Sequence, residues 1–209
     1  MDIIRLSSAD AKNQLMNDLF AIYTEALPPS EQKPRVDLED MLVNTNYYFY
    51  VLQKDNIVIG FAIVYAPDNS DYYLLEYMAI EHNLRSEGYG GKLFDSMSQI
   101  FINKNMIIEI ESPYQESEDH VIRQKRKVFY ERHGSKTLQG LNYILPLETD
   151  HTPPDMLILI NSDIYKNSVP KEKIKYWLTD IYVSVYGCKA EDKRINFMLE
   201  NIPADVALV

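Results

Sequence analysis

A single cysteine, Cys188, stands among 209 residues. No internal disulfide can form, and a CxxC zinc or redox motif is excluded. Histidine is nearly as scarce. His82, His120, His133 and His151 are scattered without metal-ligand spacing, which speaks against a zinc site. Positive charge is short as well: 21 Lys and Arg face 31 Asp and Glu, a net charge of −10. Such a surface repels polyphosphates and anionic lipid, so a general nucleic-acid binder and a membrane-surface binder are disfavoured and cationic partners such as amines are favoured. Long apolar runs are missing too, with nothing near the roughly 18 residues of a membrane span. The start, MDIIRLSSAD, lacks the basic region and apolar core of a secretory signal. The expected setting is cytoplasmic.

What is present suits a packed domain, with 46% hydrophobic and 25% charged residues. Residues 3–6 read as a strand, ended by a capping segment at Ser7-Ser8-Ala9-Asp10. Leu15, Met16, Leu19, Phe20 and Tyr23 keep helical spacing until Leu27-Pro28-Pro29-Ser30 breaks it, and 38–42 suggests a second short helix. Residues 47–53 and 57–66 form a hairpin around Lys54-Asp55-Asn56, and Tyr72–Ile80 completes an antiparallel meander. A helix opens at Gly88-Tyr89-Gly90-Gly91 and leads to a strand at 106–112, which implies a parallel, right-handed return beside Tyr72–Ile80. A further helix spans about 117–132, with Val121, Ile122, Val128 and Phe129 as its apolar stripe. Strands at 141–145 and 156–160 flank Thr152-Pro153-Pro154. Beyond residue 165 the periodicity is helical: Ile174, Trp177, Leu178, Ile181, Tyr182 and Val185 form one stripe, and Ile195, Met198, Leu199 and Ile202 a shorter one. These stripes cover either the domain or a second copy of the chain in a homodimer. The expected division is 1–165 for the domain and 166–209 for a C-terminal helical extension.

The chemistry concentrates where the strand Tyr72–Ile80 runs into its glycine loop. Backbone N–H groups at a helix start lack internal partners and carry the positive end of the dipole, so they attract phosphate. Glycines let the backbone approach an anion, and Arg85 adds a charge. The spacing is neither a Walker loop nor the dinucleotide fingerprint.

Met78-Ala79-Ile80 followed by Arg85-Ser86-Glu87-Gly88-Tyr89-Gly90 resembles motif A of the GNAT N-acetyltransferases. Val128-Phe129-Tyr130-Glu131-Arg132-His133-Gly134 resembles the end of that superfamily's motif B, and the order of elements over residues 2–160 agrees. The resemblance implies an α+β fold: a mixed central sheet, splayed between its fourth and fifth strands and flanked by helices. It implies acetyl transfer from acetyl-CoA to an amine by direct attack in a ternary complex, without a metal. Backbone groups of Met78, Ala79 and Ile80 would pair with pantetheine. The amides of Arg85, Ser86, Glu87, Gly88, Tyr89 and Gly90, with Gly91 and Lys92, would hold the pyrophosphate. The Met78 amide would polarise the thioester carbonyl.

An alkylamine must lose a proton to attack, and a leaving thiolate gains from receiving one. The resemblance makes Glu76 the base and Tyr130 the acid. Strand alternation puts Glu76 on the face of Met78 and Ile80, and Arg126, one turn before Tyr130, is expected to lower the phenol's pKa. Relatives carry Asn and Ala where this chain has Arg123 and Arg126. These arginines contact CoA phosphates or an acidic substrate group, or they pair with Glu116, Glu118 and Asp119. Tyr47, Tyr48, Tyr50 and Tyr65 divide between core and cleft. The expected acceptor is a small cationic amine. The rival readings are a non-catalytic acyl-CoA-binding module and a protein N-terminal or lysine acetyltransferase.

Overall fold

A computed structural model describes residues 1–146 and 155–209; the Thr152-Pro153-Pro154 segment and His151 lie outside them. The chain divides into two compact units, Met1–Ile102 and Asn103–Val209. Each is α+β.

In the first unit four strands pair antiparallel in the order β1 (Asp2–Arg5), β2 (Tyr47–Lys54), β3 (Ile57–Tyr65), β4 (Tyr72–Ile80). The β2–β3 hairpin turns at Asp55 and Asn56, both with positive φ (52° and 63°), the geometry of a two-residue primed turn. Helix α1 (Gln14–Ala26) starts at Asn13, whose side chain caps the Met16 N–H, and buries Met16, Leu19, Ile22 and Tyr23. Tyr23 touches Phe61 of β3, which fixes α1 on the Phe61 face of the sheet. Phe101, after α3 (Tyr89–Ile100), touches Tyr50. Tyr50 pairs with Ala62, so this contact lies on the opposite face. Helix α2 (Arg35–Val43) buries Leu38 and Leu42.

The second unit pairs β5 (Asn105–Glu111) with β7 (Met156–Asn161) and β7 with β6 (Lys136–Thr137), all antiparallel. Helix α4 (His120–Arg132) begins three residues later than its spacing suggests, because the acidic segment before it forms a turn. Val121 and Ile122 are exposed, and α4 instead buries Arg123 and Tyr130. Residues 141–145 form no strand, only an isolated bridge from Tyr143 to Met156. The Ile144 N–H donates to Met198 Sδ at 3.1 Å rather than to a neighbouring strand.

The α5 stripe is covered within this unit. Helix α5 (Lys171–Ser184) buries Ile174, Trp177, Leu178, Ile181 and Tyr182, and α6 (Lys193–Leu199) buries Ile195, Met198 and Leu199. A two-stranded ribbon of β8 (Ser168–Pro170) and β9 (Asp205–Ala207) frames the pair. Thr137 and Val209 exchange two backbone hydrogen bonds, so this segment is sewn to β6.

Candidate functional site

The register of β4 against β3 shifts between Ile63 and Val64: Ile63 faces Tyr77 and Val64 faces Leu75. Glu76 is therefore the extra residue of a β-bulge. A bulge re-aims a side chain and reverses the alternation beyond it. Cross-strand partners share a face, so Met78, opposite Ala62, lies on the Phe101 side with Ile80, opposite Gly60. Tyr77, opposite Ile63, lies on the α1 side. Glu76 reaches α1-side groups as well, with Lys33 Nζ 3.5 Å from Oε1. The simple alternation is thereby corrected: Glu76 shares a face with Tyr77, not with Met78 and Ile80.

Lys33 sits in the proline-rich connection between α1 and α2. Gln32 anchors that connection by donating to the carbonyls of Thr24 (2.9 Å) and Leu27 (2.7 Å). The Lys33 backbone N–H donates to the Tyr23 hydroxyl at 2.7 Å. Tyr23 meets Tyr77 edge-on, ring centroids 5.3 Å apart, and their hydroxyls share a hydrogen bond. Burial pushes the Tyr77 phenol well up, and the Glu76 charge pushes it further. Tyr23 is raised chiefly by burial. Both stay protonated at neutral pH beside a carboxylate whose side chain is only 5% exposed. Sequence reasoning did not find Lys33, Tyr23 or Tyr77 as neighbours of Glu76. The proline cluster marked a loop but not where the loop lands.

Beyond β4 the chain makes a short 3₁₀ turn, His82–Leu84, and enters the glycine loop. Arg85 folds back, its Nε donating to the Ile80 carbonyl at 3.0 Å. Ser86 (φ 69°) and Gly88 (φ 84°) are both left-handed, and Gly88 is the N-cap of α3. A Cβ at Gly88 would meet nothing within 4 Å, so conformation rather than crowding calls for glycine there. Its open side leaves the backbone approachable at a helix start, where unpaired N–H groups favour an anion. These features fit a pyrophosphate. Tyr89 is buried, and its hydroxyl accepts from Lys54 Nζ at 2.7 Å. Lys92 Nζ lies 5.8 Å from the same ring's centroid. Lys54 is a third cation at this loop, after Arg85 and Lys92, and one that the sequence did not single out. Its signal was only its place beside the hairpin turn.

In the second unit Tyr130 is buried near the end of α4, and Gly134 (φ 86°) follows that helix. Burial raises its phenol above the ordinary range. Arg126 pulls the other way and loses, which reverses the expected direction. Arg123 is buried and donates from Nη2 to Glu111 Oε1 at 3.2 Å, and Arg126 Nη1 lies 4.0 Å from Glu111 Oε2. Both arginines thus converge on the last residue of β5, not on the exposed Glu116, Glu118 and Asp119. Arg123 Nε is buried without a hydrogen-bond partner. No group of His, Cys, Asp and Glu among the described residues could hold a metal ion. No described helix is long and apolar enough to cross a membrane.

Residues 45–134 match the family model for the acetyltransferase (GNAT) domain. A GNAT-family protein from Bacteroides thetaiotaomicron has the same fold, with a TM-score of 0.73 at 21% identity over 90% of this chain and 100% of that one. The ribosomal-protein-S18-alanine N-acetyltransferase of Escherichia coli matches with a TM-score of 0.54 at 16% identity, over 78% of this chain and 98% of that one. An aminoglycoside 6'-N-acetyltransferase complexed with coenzyme A matches with a TM-score of 0.57 at 13% identity, over 77% and 95%. No curated protein sequence matches the chain. The segment that matches the GNAT acetyltransferase domain model contains the motif-bearing strand and loop, and most of the chain shares the fold of GNAT-family structures.

Proposed function

We propose that this protein transfers the acetyl group of acetyl-CoA to the primary amine of a small cationic acceptor, by direct attack with both substrates bound. One observation carries the reading. A bulged, nearly buried carboxylate at Glu76 and a left-handed loop at Ser86–Gly88 lie at the two ends of a single strand-to-helix segment. That segment offers a base at one end and an anion cradle at the other.

In this reading the backbone of Met78, Ala79 and Ile80 holds the pantetheine arm, and the amides of residues 85–92 hold the pyrophosphate. Lys54 adds positive charge beside the glycine loop, and Arg123 is assigned to the CoA phosphates. The Met78 amide polarises the thioester carbonyl. Glu76 takes a proton from the acceptor ammonium, and Tyr130, kept protonated by burial, gives one to the sulfur. The Glu76 carboxylate already accommodates a primary ammonium, that of Lys33 at 3.5 Å, which supports an amine acceptor. The net charge of −10 supports a cationic one. The fold does not choose among acceptors, since the two named relatives take a protein alanine and an aminoglycoside at similar TM-scores.

The experiment is release of CoA thiol from acetyl-CoA across a panel of polyamines, aminoglycosides and peptides. Thiol release with a small polycation is the expected result. Release with peptides alone would replace the acceptor assignment, and tight acetyl-CoA binding without turnover on any amine would make the protein a binding module.

A further inference from the structure

Lys33 is a lysine presented to the proposed base by the protein itself. Its Nζ lies 3.5 Å from Glu76 Oε1, the relation an acceptor ammonium must adopt before losing its proton. Three features hold it there. Its N–H is fixed on the Tyr23 hydroxyl, Gln32 anchors the preceding turn, and Pro34 restricts Lys33 to extended backbone. Lys33 is also accessible: its side chain is 26% exposed while that of Glu76 is 5% exposed, so the amine stands on the solvent side of the carboxylate. Met78, whose amide the proposed mechanism aims at the thioester carbonyl, follows Glu76 by two residues on the same strand. The Met78 side chain faces the other side of the sheet, but its amide lies in the plane of the sheet, and the bulge keeps the rise from Glu76 within the roughly 6–7 Å of two regular strand residues.

We propose that Lys33 is itself an acetyl acceptor, so that with acetyl-CoA the protein acetylates its own Lys33 Nζ. The inference rests on the acetyl-CoA reading above. Glu76 takes one proton from the Lys33 ammonium and passes it to solvent. The nitrogen lone pair forms a bond to the acetyl carbonyl carbon, and the carbon–sulfur bond breaks with its electrons on sulfur. A second nitrogen proton is lost and the sulfur leaves as the CoA thiol; the last stays on the amide. Nothing is oxidised or reduced. The product amide is neutral and cannot pair with Glu76.

The test incubates the full chain with acetyl-CoA and no other amine, then follows peptide mass spectra over time while calorimetry measures acetyl-CoA binding. Acetylation of Lys33 should be first order and independent of protein concentration, and should outpace that of the exposed Lys175, which reports spontaneous chemistry. Glu76→Gln should bind acetyl-CoA yet slow Lys33 acetylation by about 10²–10⁴-fold, the range for a positioned base, without changing Lys175. If acetyl-CoA binds but Lys33 is modified no faster than Lys175, or at a rate that scales with protein concentration, the inference is overturned and the acetyl-CoA reading stands. If acetyl-CoA does not bind, that reading falls and takes the inference with it.

Discussion

Tyr73 and Tyr77 lie on one strand, four positions apart, and yet face opposite sides of the sheet. Tyr73 stacks on Phe101 at 4.7 Å between centroids, and Tyr77 meets Tyr23 of α1 at 5.3 Å. Regular alternation would put both on one face. The bulge at Glu76 reverses the phase between them and turns the carboxylate toward Lys33. The position of the proposed base is thus a property of the β3–β4 pairing and not of β4 alone.

Replacing Glu76 by Gln keeps its size and removes its basicity. Turnover should fall by about 10²–10⁴-fold near neutral pH. It should recover at alkaline pH, where the acceptor amine loses its proton unaided. A loss that is the same at every pH would assign Glu76 to acceptor binding.

Tyr130→Phe removes only a hydroxyl. Acetyl-CoA affinity should change little while turnover drops by about 10²–10⁴-fold. Burial holds the phenol above its ordinary pKa, so the wild-type pH profile should show no loss of an acid below about pH 10. Turnover within a few-fold of wild type would mean the thiolate leaves unassisted.

A Cβ on Gly60 would come within 2.5 Å of Ile80 Cδ1 and 2.8 Å of the Ala79 carbonyl. The second contact is backbone and cannot rotate away. Gly60→Ala should destabilise by about 1–3 kcal/mol and, by moving the end of β4, weaken acetyl-CoA binding. Urea melts and calorimetry on the same variant would check both effects; unchanged affinity would detach this strand end from the cofactor.

Seven tyrosines (Tyr23, Tyr50, Tyr73, Tyr77, Tyr130, Tyr143 and Tyr182) have phenols raised by burial. Unfolded phenols ionise near about pH 10, while these hold their protons. Above that pH the unfolded chain binds fewer protons, so stability is full below it and falls as pH rises toward the folded values. Phenolate absorbance for these tyrosines should appear together with unfolding. Their smooth titration in a still-folded protein would contradict the burial.

Much of the frame was legible in the sequence. Tyr72–Ile80 is a strand over its whole expected span, the hairpin turns at Asp55-Asn56, and Gly88 opens α3, because each follows from local turn chemistry and short-range periodicity. What escaped depends on partners. The bulge exists only in the register with β3. Lys33 meets Glu76 only after α2, β2 and β3, which lie between them in sequence, have folded. The apolar residues Leu141, Tyr143 and Leu145 alternate like a strand, but Tyr143 turns its hydroxyl to Glu109 and the Ile144 amide goes to Met198. In α4 the apolar Val121 and Ile122 face solvent while Arg123 is buried, because Glu111 supplies a countercharge that the helix pattern cannot reveal.

Trp177 is the one tryptophan of the chain, fully buried in the second unit with Tyr165 edge-on to it at 5.9 Å between centroids. Nine of the sixteen tyrosines lie in the first unit, which contains no indole. The protein therefore carries its own two-channel optical reporter. Indole emission follows Asn103–Val209 alone, and phenol signals are weighted toward Met1–Ile102. A single fluorescence titration can tell whether the two units melt as one transition or two, with no label attached and no residue replaced.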